Sequence, residues 1–180
     1  MCAVDMLNLM AEYNRWMNEN LCTVCASMQD EERKRDIGAF FRSIHGTLNH
    51  ILLVDRLWLA RIRKEPITIS SLDQELYADF AEFKRARART DNDITSLARS
   101  LEPTRLAEPV SFSSFVSKTE VVLPLGSIMV HLFHHQTHHR GQITTMVSQL
   151  GYKYGQADII YMPGARTAYL NHRSSRRQEK

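Results

Sequence analysis

Long apolar runs are absent from this 180-residue chain. No stretch approaches the roughly 18 residues needed to span a bilayer, so no membrane-crossing helix is expected. The opening MCAVDMLNLMAEYN carries acids and lacks the basic start and cleavage site of a secretory signal, so the expectation is a cytoplasmic protein with no membrane partner. Cysteine is scarce and odd in number. Cys2, Cys22 and Cys25 make no disulfide framework and suit reduced thiols. Cys22-Thr23-Val24-Cys25 spells C-x-x-C, but no second copy and no preceding strand accompany it, so the pair reads as helix packing. Glycine and proline are few, and there is no internal repeat or low-complexity segment. Net charge is only +3, and part of that excess sits in the final HRSSRRQEK. A basic end this short does not argue for nucleic acid, and nothing resembles a DNA-reading motif.

What is present is the composition of an ordinary globular protein, 43% hydrophobic and 24% charged. The length suits one domain, residues 1–170, followed by a basic, flexible tail over 171–180. A core of that size needs no metal staple, so a metal would serve function rather than folding. Leu7, Met10, Tyr13, Met17, Leu21 and Val24 recur at helical spacing, predicting a first helix from about Asp5 to Met28. Asp30 is a candidate cap for the charged turn that follows. A second helix is expected from about Ile37 to Arg63, with Phe40, Ile44, Leu48, Ile51, Asp55, Trp58 and Ile62 in one stripe and Pro66 ending it. Asp55 falls inside that apolar stripe, where an ionised carboxylate needs a partner: an arginine, backbone groups, or the site itself. With Ser70 or Ser71 as cap, Leu72 to Leu101 reads as a third helix whose Lys84 to Arg89 run is a solvated face. Val110 to Leu123 alternates like a short hairpin or extended crossover. From Pro124 or Leu125 the helical period returns and runs to Leu150, with Gly151 as the stop. A short helical piece is expected around Asp158 to Met162. The class is all-α, a four-helix bundle with a short β-hairpin or extended crossover before the last long helix.

Five of the eight histidines fall within nine residues of that last helix, in HLFHHQTHHRGQ. Two imidazoles four apart lie one turn above each other and can grip a cation from one side. Projected at about 100° per residue, the apolar arc Leu125, Ile128, Met129, Leu132, Ile143, Met146, Val147 and Leu150 takes in His139, with His135 at its edge. His131, His134 and His138 lie progressively further round and read as polar surface. Two partly buried imidazoles would repel if charged and need acceptors if neutral; a shared cation resolves both. The second helix offers a third ligand in His45 or His50, and the projection does not choose between them.

These segments, YNRWMNENL, GAFFRSIHGTLNHILLVDRLWLARI, HLFHHQTHHRGQITTMVSQLG and DIIYM, resemble the DinB/YfiT-like metalloenzyme family over most of the chain. The resemblance implies a commonly dimeric four-helix bundle, here a homodimer, with a divalent metal on three histidines. Carried onto this sequence, these are His50 in LNHILLVD and His135 and His139 in HHQTHHRGQ; His134 stands where an Asn is frequent. Three imidazoles leave a coordination position open, as in a catalytic site. Zinc or nickel suits such a set first, with iron or manganese also accepting imidazole. Asp55, Gln136 and Gln142 are candidates to orient the rings, and Arg140 to receive a substrate carboxylate at the mouth. The wider superfamily implies a small-molecule substrate and a low-molecular-weight-thiol S-transferase. A metal-dependent hydrolase and a non-catalytic metal-binding protein of the DNA-damage response are the alternatives.

Overall fold

A computed structural model describes residues 1–115 and 117–164; the expected tail over 171–180 lies outside the described residues. Four long helices form the body: α1 (Ala3–Ala26), α3 (Ile44–Arg63), α4 (Phe80–Arg99) and α5 (Leu125–Gln149), with a five-residue α2 (Asp30–Lys34) between the first two. Each long helix packs on two others: α1 on α4 and α5, and α3 on the same pair. This makes a closed square of rods. Between α4 and α5 a short 3-10 turn (Pro103–Ala107) leads into β1 (Pro109–Ser113) and β2 (Glu120–Pro124), an antiparallel hairpin that pairs Val110 with Leu123 and Phe112 with Val121. Among the described residues, no helix is long and apolar enough to cross a membrane.

Helix starts differ from the periodicity where local chemistry overrides it. The expected second helix begins at Ile44, not Ile37, because Gly38 and Arg42 turn with positive φ (78° and 65°) and the Ser43 side chain caps the helix by accepting from Gly46 N–H at 3.0 Å. Phe40 is therefore no member of the stripe and is 86% exposed. The third helix starts at Phe80 rather than Leu72; Asp79, not Ser70 or Ser71, caps it by accepting from Glu82 N–H at 2.7 Å. Gln29 rather than Asp30 precedes the short α2 as its cap residue. Gly151, with φ 84°, ends α5 as expected, its successor Tyr152 N–H closing onto Val147 O. The expected helical piece near the end is one 3-10 turn, Ile159–Tyr161. Cys22 and Cys25 are buried free thiols, which burial pushes up to about 12.

The apolar interior divides in two. One cluster gathers Leu53, Trp58, Ile94, Leu125, Ile128, Met129 and Phe133; the other gathers Leu21, Ile44, Leu48, Leu52, Phe83, Ile143 and Val147. A polar layer drawn from all four long helices accompanies them: Asn14 and Asn18 from α1, Asp55 from α3, Arg87 and Asp91 from α4, Gln136 and Arg140 from α5, all buried. Arg87 bridges Asp55 at 2.6 Å and Asp91 at 2.9 Å, Asn18 donates to Asp91 at 2.9 Å, and Gln136 donates to Asp55. Arg140 donates to Asn14 and, at 3.0 Å, to Gln136 Oε1. Two buried cations thus face two buried anions, which offsets the desolvation of each. Arg87 is the exception in the Lys84 to Arg89 run, where Lys84, Arg85 and Arg89 are exposed as expected.

Candidate metal centre

His50 lies on α3, and His135 and His139 on the facing side of α5, one turn apart. One nitrogen from each ring lies within 4.8 Å of the others, and the Nε2 atoms of His50 and His135 are 3.1 Å apart. Two ligand nitrogens on a tetrahedral zinc at about 2.0–2.1 Å would stand about 3.3 Å from each other, so the spacing fits a shared ion. His50 is 4% exposed; on α5 His139 is 8% exposed and His135 half-buried at the edge, the order the helical projection predicts for that pair.

Hydrogen bonds behind two of the rings select the tautomer a metal needs. His50 Nδ1 meets the Leu72 carbonyl at 2.7 Å and must donate, which leaves Nε2 with a lone pair. His139 Nδ1 meets Gln142 Oε1 at 2.8 Å with the same result. His135 Nδ1 is buried with no hydrogen-bond partner, so this ring is held by its helix and its neighbours alone. Burial disfavours the charged imidazole in all three: it pushes His50 down to about 4, against the opposing Leu72 bond, and His135 to about 3 with help from His139 and His50, and it lowers His139. At neutral pH the set is three uncharged donors converging on one point. That chemistry fits a divalent transition metal with an open coordination position.

Aromatic rings wall the site. Phe41 stacks on His50 with centroids 3.8 Å apart and meets His139 edge-on at 5.5 Å. On the other side Trp58 meets His131 at 5.3 Å, and His131 meets His135 at 5.8 Å. His45, the alternative on α3, points elsewhere: its Nε2 is 3.4 Å from Glu75 and 3.1 Å from the Asn49 amide. Of the four residues expected to support the site, Gln142 bonds a ring of the triad. Asp55, Gln136 and Arg140 instead bond into the polar layer, where an ionised Asp55 finds Arg87. Arg140 is 3% exposed and lies over the Tyr13 ring, so its guanidinium does not reach a mouth as expected. His131, His134 and His138 are exposed. Phe41 and the Leu72 carbonyl were missed by sequence reasoning, since both sit in segments taken for helix and a backbone carbonyl leaves no side-chain signal.

Three neutral imidazoles presented from two facing helices of a four-helix bundle define a class of protein whose core could hold a divalent metal ion. The sequence model of the DinB family matches residues 1–169, and the chain belongs to that family. It is 26% identical over 154 residues to Protein DinB of Bacillus subtilis (strain 168), covering 82% of this chain and 87% of that protein. Its fold is similar to the crystal structure of a DinB-like protein from Bacillus cereus ATCC 10987, with TM-score 0.60 and 16% identity over 78% of this chain and 89% of that one. It is also similar to YfiT from Bacillus subtilis, with TM-score 0.59 and 14% identity over 83% and 89%; that protein is described as a probable metal-dependent hydrolase with an unusual four-helix bundle topology.

Proposed function

We propose that the protein is a divalent-metal-dependent enzyme acting on a small molecule, with His50, His135 and His139 as the metal ligands. The observation that carries this reading is the convergence of three neutral ring nitrogens, two of them 3.1 Å apart. A cation bound there supplies Lewis acidity and lowers the pKa of a coordinated water or thiol. The chain's own residues do the rest. Leu72 O and Gln142 Oε1 keep the protons of His50 and His139 on Nδ1, and Phe41 covers the His50 ring and excludes water from that side.

Hydrolysis is the use of that nucleophile we favour. Arg140 is withdrawn into the polar layer, which removes the carboxylate receiver expected for a thiol, and YfiT's description points the same way. Low-molecular-weight-thiol S-transfer is the second reading, favoured by exposed Arg42, which follows Phe41 in the chain and is a cation able to meet a thiol's carboxylate. Protein purified without an affinity tag should carry close to one equivalent of zinc, nickel, iron or manganese, and His135→Ala/His139→Ala should carry none. Paired screens, esters and phosphoesters in one and thiol plus electrophile in the other, should show turnover in the wild type that the double variant loses. Unchanged metal content or turnover in that variant would overturn the reading. We further propose a homodimer through the half-exposed Met6 on α1 and Val130 on α5, and expect light scattering to give twice 20.8 kDa at micromolar concentration. A monomeric mass would refute it.

A further inference from the structure

The segment from residue 66 to 79, between α3 and α4, is irregular: among the described residues its one backbone-to-backbone bond is a long one, Gln74 N–H to Ser71 O at 3.4 Å, to which Gln74 Oε1 adds bonds accepted from Ser70 N–H at 2.9 Å and Ser70 Oγ at 3.0 Å. A stretch with so little bonding of its own is held from outside. Beside the packing of Ile69, Leu72, Leu76 and Tyr77 on the core, Asn49, 1% exposed and one residue before His50, supplies most of the hydrogen bonds that do this. Its Oδ1 accepts from Leu76 N–H at 2.9 Å and Tyr77 N–H at 3.0 Å, and its Nδ2 donates to Tyr77 O at 3.2 Å and to His45 O at 3.1 Å. Arg56 adds one bond, to the Tyr77 hydroxyl at 3.1 Å. Four residues back from this staple, the same segment presents the Leu72 carbonyl to His50 Nδ1 at 2.7 Å.

We propose that Asn49 is a positioning residue of the metal centre: its amide staples the 66–79 segment to α3 and so presents the carbonyl that keeps the His50 proton on Nδ1, freeing Nε2 for the ion. The inference rests on the proposed triad for its metal readout, but not for its imidazole readout. Adjacent residues on a helix point about 100° apart, so Asn49 cannot touch the ring it serves and acts through the segment between. Removing the amide strands Leu76 N–H and Tyr77 N–H and lets the segment lift. His50 then loses its fixed acceptor and can place its proton on either nitrogen.

The test is Asn49→Ala, with Asn49→Asp as the variant that keeps both accepted bonds. In metal-free protein, nitrogen-15 NMR of the imidazoles should show His50 in the Nδ1–H form in the wild type and as a tautomer mixture in Asn49→Ala, while His139, bonded to Gln142, is unchanged. Zinc affinity, measured by chelator competition, should fall about tenfold in Asn49→Ala, the low end for loss of a group behind a ligand, and recover in part in Asn49→Asp. Should Asn49→Ala fail to fold, Asn49→Asp, which loses the bonds donated to Tyr77 O and His45 O, should shift the His50 tautomer in part while Arg56→Ala leaves it in place, and an unchanged tautomer in Asn49→Asp would overturn the inference. An unchanged His50 tautomer with unchanged zinc affinity would overturn the inference and leave the triad standing. A wild type that binds no zinc would overturn the triad, and the tautomer would still decide on Asn49.

Discussion

At the scale of single residues, the candidate site and the polar layer divide the buried polar groups of α3 and α5 between them. Gln136 and Arg140 face one way round α5 and His135 and His139 the other, as the 100° step between neighbours requires. Gln142 joins the metal side: Oε1 receives the His139 proton while its Nε2 contacts His138 Nε2 at 3.2 Å. Gln142→Ala should therefore weaken metal binding about 10-fold, read by competition with a coloured chelator, with little change in thermal midpoint. Asp55→Ala should do the opposite. It leaves Arg87 buried without that partner and should cost about 3–5 kcal/mol in urea unfolding. The burial that pushes Asp55 up to about 6 still leaves it ionised at pH 7, as that pairing needs.

At the scale of elements, the period of apolar residues was enough to find all four long helices, because each buries one stripe against two neighbours, while the alternation over Val110 to Leu123 left open a hairpin or an extended crossover. It also placed His139 inside and His135 at the rim of α5. Where it failed, at Ile37 to Ser43 and Leu72 to Asp79, apolar residues keep helical spacing but cap chemistry starts the helix later. The signal was legible in Asp79-Phe80-Ala81-Glu82, an acid three residues ahead of a Glu. Choosing His50 over His45 lay beyond periodicity, since both are buried on α3 and differ in what the 66–79 segment offers them. The turn before α3 also explains Gly46, where an added Cβ would fall 2.3 Å from the Phe41 carbonyl oxygen. Gly46→Ala must displace that backbone, and the ring-current shift that Phe41 imposes on His50 should diminish in proton NMR.

At the scale of the whole molecule, the balance of buried titratable groups sets its response to acid. Free imidazoles in the unfolded chain titrate near 6.5, while His50 at about 4 and His135 at about 3 resist the proton in the fold. Between those limits the unfolded state binds more protons, so the stability of metal-free protein rises with pH through that window and is lost as pH falls. Asp55, raised from 3.8 to about 6, and Asp91, also raised by burial, work in the opposite sense, against the five histidines that burial lowers, His45, His50, His131, His135 and His139. The thermal midpoint of metal-free protein should drop steadily from pH 6.5 to 4, and His135→Ala should flatten that slope. The layer of paired charges across the bundle has a consequence for how a cation arrives. Sliding any one rod by a turn would set a guanidinium or a carboxylate against oil, so the three nitrogens are held in alignment by groups that never meet the ion. Loading of the proposed ion is then a plug-in event: the far-ultraviolet circular dichroism and the amide chemical shifts of helix residues away from the three histidines should be the same before and after the ion is added, while core amide exchange slows only by the added stability.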